Sequence, residues 1–280
     1  MRTTTCLLAD ISLGTSALLA SPPLASPLAA QPADTSEVST SPLFTGKDLV
    51  FASAFVLGTA AAWPVDRYFA ERIQRPRAQE NRFLRGAAAF FREIGVPGAF
   101  IIGPTMYAIG RWGGNERLAD LGLHGTEAII AATLVTGSIK VTAGRQRPFV
   151  NVETPDSFQL FRGVGDDSYR SFPSGHSSTA FAAAAAVVTE TRKWWPNAQW
   201  AIAPTMYGGA ALVGVSRMYN NKHWASDVMA GAAIGTFAGR KVVRYHHTHP
   251  GNKLDEWLLT ASISPAADGG YTLRWMILPR

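Results

Sequence analysis

PSGHSSTAFAAAAAVV, residues 173–188, decides how this chain is read. Ser174 stands shortly before an apolar, Ala-rich run at 177–188 that contains no helix breaker. Ser in that place is a helix N-cap, and Ala is the strongest helix former. Gly175 lets a ligand approach the backbone closely, and the N–H groups opening a helix bind anions readily. His176 would sit at that end, able to give a proton to a leaving alkoxide.

Working outward, two further stretches supply complementary chemistry: KVTAGRQRP at 140–148 and SRMYNNKHWASD at 216–227. A phosphoryl group in transfer spreads negative charge over its equatorial oxygens, so catalysis is mostly positioning and cationic stabilisation. Lys140, Arg147 and Arg217 can provide that charge, the two Arg through planar forks that match phosphate oxygens. Lys140 and Arg147 are spaced by two helical turns, which places both near one face of a helix that Pro148 stops. His223 and Asp227 are four apart at the start of a helical run over 224–239, so their side chains can meet. A carboxylate on one imidazole nitrogen fixes the tautomer and leaves the other nitrogen free to attack phosphorus. Taken singly, each has a plainer reading: charges at a helix end, an ordinary cap, a surface His–Asp pair. Their conjunction favours one oxyanion pocket serving metal-free phosphoryl transfer through a histidine.

Lys-x6-Arg-Pro, Pro-Ser-Gly-His and Ser-Arg-x5-His-x3-Asp, in that order, resemble the three-part signature of the type-2 phosphatidic acid phosphatase and vanadium haloperoxidase superfamily. No signature position is missing, and the resemblance covers residues 126–239. It implies that Lys140, Arg147 and Arg217 hold phosphate and that Ser174 and Gly175 complete the anion site. By the same resemblance His176 is the general acid, His223 the nucleophile and Asp227 the residue that orients it. The implied activity is a metal-independent, acid-type phosphatase acting through a phosphohistidine on phosphomonoesters or pyrophosphates, lipid phosphates and isoprenyl pyrophosphates among them. No cofactor is expected. The rivals are a vanadate-dependent haloperoxidase and a non-catalytic anion-binding membrane scaffold; the full His176, His223 and Asp227 set argues against the scaffold.

Composition sets the outer limits. The chain has 280 residues, a formal charge of +6 and one cysteine, Cys6, so no intramolecular disulfide is available. The basic balance is not accompanied by a nucleic-acid motif, and no nucleic-acid partner is expected. Seven Arg fall within 67–92, read as a solvated interhelical face or a contact with anionic lipid head groups. Residues 1–30, with Arg2 before an apolar run at 7–20, read as a signal peptide, and 31–46 as a linker. That implies export to the periplasm or cell envelope.

From 47 to 250 the pattern predicts a helical bundle with helices at 48–62, 82–93, 97–111, 126–144, 174–193, 199–215 and 224–245. The fold class is therefore all-α, about six core helices with the catalytic residues at one end. Gly231, Gly235 and Gly239 form a stripe for close helix packing. Residues 251–280 form a separate tail with a short β-hairpin around an Asp-Gly turn. Uncharged runs around the motif helices are far short of the ~20 residues a bilayer crossing needs. Only 49–65, 94–110 and 194–216 approach that length, which favours an exported domain that is membrane-associated or partly embedded. His246, His247 and His249 read as a basic, wet helix end rather than a metal site, and His124 as a loop or helix-entry residue.

Overall fold

The computed structural model describes residues 44–249 together with two strands at 261–265 and 271–275. The expected signal peptide (1–30) lies outside the described residues, as does the linker (31–46) up to residue 43. Nine α-helices occur among the described residues. They are α1 (Gly46–Ala62), α2 (Asp66–Ile73), α3 (Pro76–Gln79), α4 (Arg82–Glu93), α5 (Ala99–Trp112), α6 (Glu116–Ala143), α7 (Gly175–Trp194), α8 (Gln199–Tyr219) and α9 (Ala225–Thr248). The tail supplies β1 (Ala261–Pro265) and β2 (Tyr271–Trp275), paired antiparallel with Ala261 opposite Trp275. The architecture is all-α with that one hairpin; its expected Asp-Gly turn lies outside the described residues.

Several helices are longer than the sequence pattern predicts. The Arg-rich 67–92 stretch is itself helical, in α2, α3 and α4, rather than a connection between helices. A 3-10 turn at Trp63–Val65 carries α1 into α2, so Gly46–Ile73 runs as one rod. A π turn at Ile94–Gly98 accommodates Pro97, which has no N–H to donate, and carries α4 into α5. Helix α6 begins at Glu116, ten residues before the expected start, with the Asn115 side chain accepting from Leu118 N.

The core is built from small side chains. Ala128, Ala132, Ala182, Ala186, Ile129 and Val243 bring α6, α7 and α9 together. The expected glycine stripe does the same for α9 against α7. A Cβ on Gly235 would lie 2.1 Å from the Ser178 carbonyl oxygen, so no larger residue fits this crossing. This places the start of α9 directly beside the start of α7.

Among the described residues, three helical rods are long and apolar enough to cross a membrane by length and composition: Gly46–Ile73, Arg82–Trp112 and Glu116–Ala143. A 28-residue helix rises about 42 Å against a hydrocarbon core of about 30 Å. Their outward faces are apolar, with Leu49 71% and Leu134 67% exposed. The expected runs 49–65 and 94–110 fall within two of these rods and 194–216 in none. For α6 the expectation of a short run fails because it counted charges along the chain, whereas a helix sorts them by face. On α6, Glu127 turns inward to His246 while Ile130, Leu134 and Val135 stay exposed. These features support membrane association.

Candidate active site

Helix α6 stops at Ala143 because Gly144 takes a left-handed conformation, φ 59°, as its C-cap. A Cβ there would fall 1.7 Å from the Gln159 carbonyl oxygen. Arg147 is therefore on the connecting segment, not on the helix with Lys140 as the two-turn spacing predicts. The segment 144–174 folds across the bundle end and brings Arg147 back. Its backbone N–H bonds to Ser168 O at 2.8 Å, and its Nη1 reaches Lys222 O at 3.3 Å. Asp167 accepts from the Arg147 side chain through both its backbone oxygen, 2.8 Å, and its carboxylate, 2.9 Å.

Lys140, in the last turn of α6, donates from Nζ to Arg170 O and Pro173 O, each at 2.7 Å. This clamps the segment just ahead of Ser174. Ser174 caps α7 as expected, its Oγ accepting from Ser177 N at 3.4 Å and Ser177 Oγ at 2.9 Å. Its own N–H is taken by Asp227 O at 2.9 Å, so the α7 donors open to an anion are those of Gly175 and His176. A Cβ on Gly175 would meet nothing within 4 Å, so packing does not demand this glycine and the space above it is open.

Arg217 ends α8, only 7% exposed, with its Nε buried and without a hydrogen-bond partner among the described residues. A buried guanidinium atom left unmatched is costly unless an anion completes it. Burial pushes Arg217 down to about 10, with the charges of Arg147 and Arg92 acting the same way. Burial likewise pushes His176 down to about 3, aided by Arg217, Lys140, Arg147 and Arg92. Mutual repulsion among these cations is what a bound phosphate would relieve.

His223 sits in the turn before α9, buried, with Nδ1 2.7 Å from Ser171 O. A carbonyl oxygen can only accept, so Nδ1 carries the proton and Nε2 keeps its lone pair. Asp227 does not hold this nitrogen directly; its Oδ2 is 3.6 Å away. The four-residue spacing brings the two groups together, but the backbone carbonyl takes the hydrogen bond. Burial pushes His223 down to about 3 against the opposing pull of Asp227, so the imidazole is neutral at ordinary pH. Burial alone would raise the Asp227 carboxyl, but Arg145, His223 and Ser171 hold it below the usual carboxylate range.

Behind Asp227 lies a buried assembly that motif reasoning missed. Arg145 is fully buried and its Nη1 donates to Asp227 Oδ1 at 2.6 Å and Ser226 Oγ at 2.7 Å. Its Nη2 donates to Asp66 Oδ2 at 2.8 Å and Pro155 O at 2.7 Å. The guanidinium lies over Trp63 at 4.4 Å, Phe158 at 5.3 Å and Trp224 at 5.5 Å. Asp227 Oδ2 accepts from Ser171 Oγ at 2.5 Å and Trp224 N at 2.8 Å, so both carboxylate oxygens are fixed. Asp66 also receives Ser226 N at 2.8 Å, tying α2 to α9. The available signal was a third cation inside 140–148, Arg145, two residues before Arg147.

Comparison with known proteins now bears on this arrangement. Residues 123–250 match the family model of the PAP2 superfamily, and every expected site residue falls within them. The chain is similar to lipid A 1-phosphatase of Porphyromonas gingivalis, 45% identical over 72 residues, 25% of this chain and 15% of that protein. It is similar to lipid phosphate phosphatase 1 of Arabidopsis thaliana, 31% identical over 142 residues, 44% of this chain and 43% of that protein. The chain thus spans less than half the length of either curated relative. In fold it resembles the crystal structure of a transmembrane PAP2-type phosphatidylglycerolphosphate phosphatase from Bacillus subtilis. That likeness has a TM-score of 0.52 at 20% identity, covering 72% of this chain and 97% of the other. The match to the PAP2 superfamily thus rests on residues 123–250, which hold all the expected site residues.

Proposed function

We propose that this chain is a PAP2-superfamily phosphatase for phosphorylated lipids, working without a metal through a phosphohistidine on His223. The observation that carries the reading is the buried Nε of Arg217, without a hydrogen-bond partner among the described residues, at the bundle end that also holds Arg147, Lys140 and His223. Arg217, Arg147 and Lys140, with the N–H groups of Gly175 and His176, bind the phosphate. His223 Nε2 attacks phosphorus as the bond to the leaving oxygen breaks, and His176 gives that oxygen a proton. The imidazolium formed is stabilised by Asp227, which Arg145 and Asp66 hold in place. Water then attacks the phosphohistidine, yielding its proton to His176, and inorganic phosphate leaves. His176 must be protonated for the first step; a bound dianion offsets the surrounding cations and raises it toward the ordinary range.

An apolar cavity of about 330 Å³ supports a lipid substrate. Ile94, Gly95, Ala180, Met206 and Val213 line it, and Val213 lies about one turn before Arg217 on α8. An acyl or prenyl chain in that cavity would leave its phosphate at the helix ends. The three long apolar rods are read as membrane-embedded, and the active site is placed on the periplasmic side because 1–30 resembles an export signal. The test is phosphate release by detergent-solubilised protein from lipid phosphomonoesters, isoprenyl pyrophosphates and soluble esters, all with EDTA. Release from a lipid substrate, inhibited competitively by vanadate, is expected. A strict need for added divalent ion, or halide oxidation by the vanadate-loaded protein in place of phosphate release, would overturn the reading.

A further inference from the structure

The far end of the bundle carries a second cluster of ligating side chains that the phosphatase reading does not use. His124 of α6, Glu190 of α7 and His247 of α9 each offer one ligand atom, all within 4.8 Å of one another. On α6, the sixteen residues from His124 to Lys140 rise about 24 Å, and on α7 His176 and Glu190 are separated by about 21 Å. The cluster is therefore remote from the phosphate pocket. His124 is not a loop residue but a buried one within α6, and the cluster is drier than a basic helix end would be.

We propose that His124, Glu190 and His247 bind one divalent transition cation of the zinc type, clamping α6, α7 and α9 together at this end. Glu190 is 1% exposed, with Oε1 lacking any hydrogen-bond partner among the described residues. His124 Nδ1 is also buried and without a hydrogen-bond partner, 3.5 Å from Glu190 Oε2. His247 Nε2 lies 2.8 Å from that same oxygen. Ligand atoms about 2.0–2.2 Å from a tetrahedral zinc stand roughly 3.3–3.5 Å apart, so only small side-chain rotations are needed. Two imidazoles and one carboxylate form a nitrogen and oxygen donor set suited to zinc, with a fourth position for water.

The surroundings support a built site. The buried His246 ring stacks on His124 at 4.1 Å, and His246 Nε2 meets Glu127 Oε2 at 2.5 Å. Such a layer fixes the orientation of a ligating ring. His247, 27% exposed at its side chain, gives the ion a way in. Without a cation the same groups form a His–Glu network that leaves buried polar atoms unmatched.

The test uses the full chain with any affinity tag removed, solubilised in detergent, stripped with chelator and re-equilibrated with Zn²⁺ or Co²⁺. The expected result is about one ion per chain, with the intense visible absorption of tetrahedral Co²⁺ and a raised melting temperature. His247→Ala and Glu190→Gln should each raise the metal Kd at least about 10-fold, His247 being exposed enough for its variant to fold. His176→Ala should bind the ion as the wild type does, and stripping should leave phosphate release intact. Wild-type protein with no more metal than the stripped buffer, or undiminished binding by His247→Ala, would overturn the proposal.

Discussion

Arg145 shows how one side chain can govern a site that it does not touch. It carries one positive charge between two carboxylates, Asp66 and Asp227, and is shielded by Trp63, Phe158 and Trp224. Asp227 accordingly stays ionised and fixed, facing an imidazole that, in the proposed mechanism, becomes positive only when His223 takes the phosphoryl group. Arg145→Lys keeps the charge but cannot bridge both acids, so kcat should fall about 10- to 100-fold, the scale seen when groups that orient a ligating residue are lost. KM should barely move, because the phosphate contacts are elsewhere; a loss confined to KM would assign Arg145 to substrate binding. The histidines make a second prediction at this scale. With both pushed down to about 3, His176 and His223 are neutral above that value, and protonation begins only as pH falls toward it. Imidazole NMR shifts should stay those of the neutral ring down to about pH 5, and vanadate should move the His176 titration upward. Titration of either ring near its ordinary value in the free protein would contradict the electrostatics of the pocket.

At the scale of elements, α9 and the turn before it bring Asp227 and His223 to the proposed phosphate site by close packing on α7. Gly235→Val forces a side chain into a contact already at 2.1 Å for a Cβ, against backbone that cannot rotate away. The cost should be about 1–3 kcal/mol or more, read as a lowered melting temperature with activity lost in proportion. An unchanged melting temperature would mean that the two helices are not in this contact. The glycine stripe, the Ser174 cap and the bundle were legible in sequence because each is a local signal. The expected helix 126–144 ends where α6 does, yet the placing of Arg147 on one helical face with Lys140 ran past that end, since a left-handed glycine and a continuing helix look alike until Gln159 is known to lie against Gly144. Arg145 was hidden for the same reason: its partners Asp66 and Asp227 are 79 and 82 residues away. Pro97 suggested a helix start, and only the π turn reveals one rod through it.

For the whole molecule, three long rods with exposed apolar faces make a surface poorly matched to water. The Arg-rich helices α2 to α4 add charge suited to lipid head groups. Membranes washed with carbonate or high salt should therefore keep the protein, and detergent should release it. Release by salt alone would mean a peripheral domain held by screened charge. The two ends of the bundle have separate tasks in this account, phosphate chemistry at one and a metal clamp at the other. The most direct measurement is chemical trapping at the first end. Detergent-solubilised protein, held in EDTA, is mixed with a ³²P-labelled lipid phosphate, quenched in alkali and mapped by peptide. The account predicts alkali-stable, acid-labile label on the peptide containing His223 and none in His223→Ala. Label on His176, or turnover of substrate with no labelled histidine at any quench time, would contradict it.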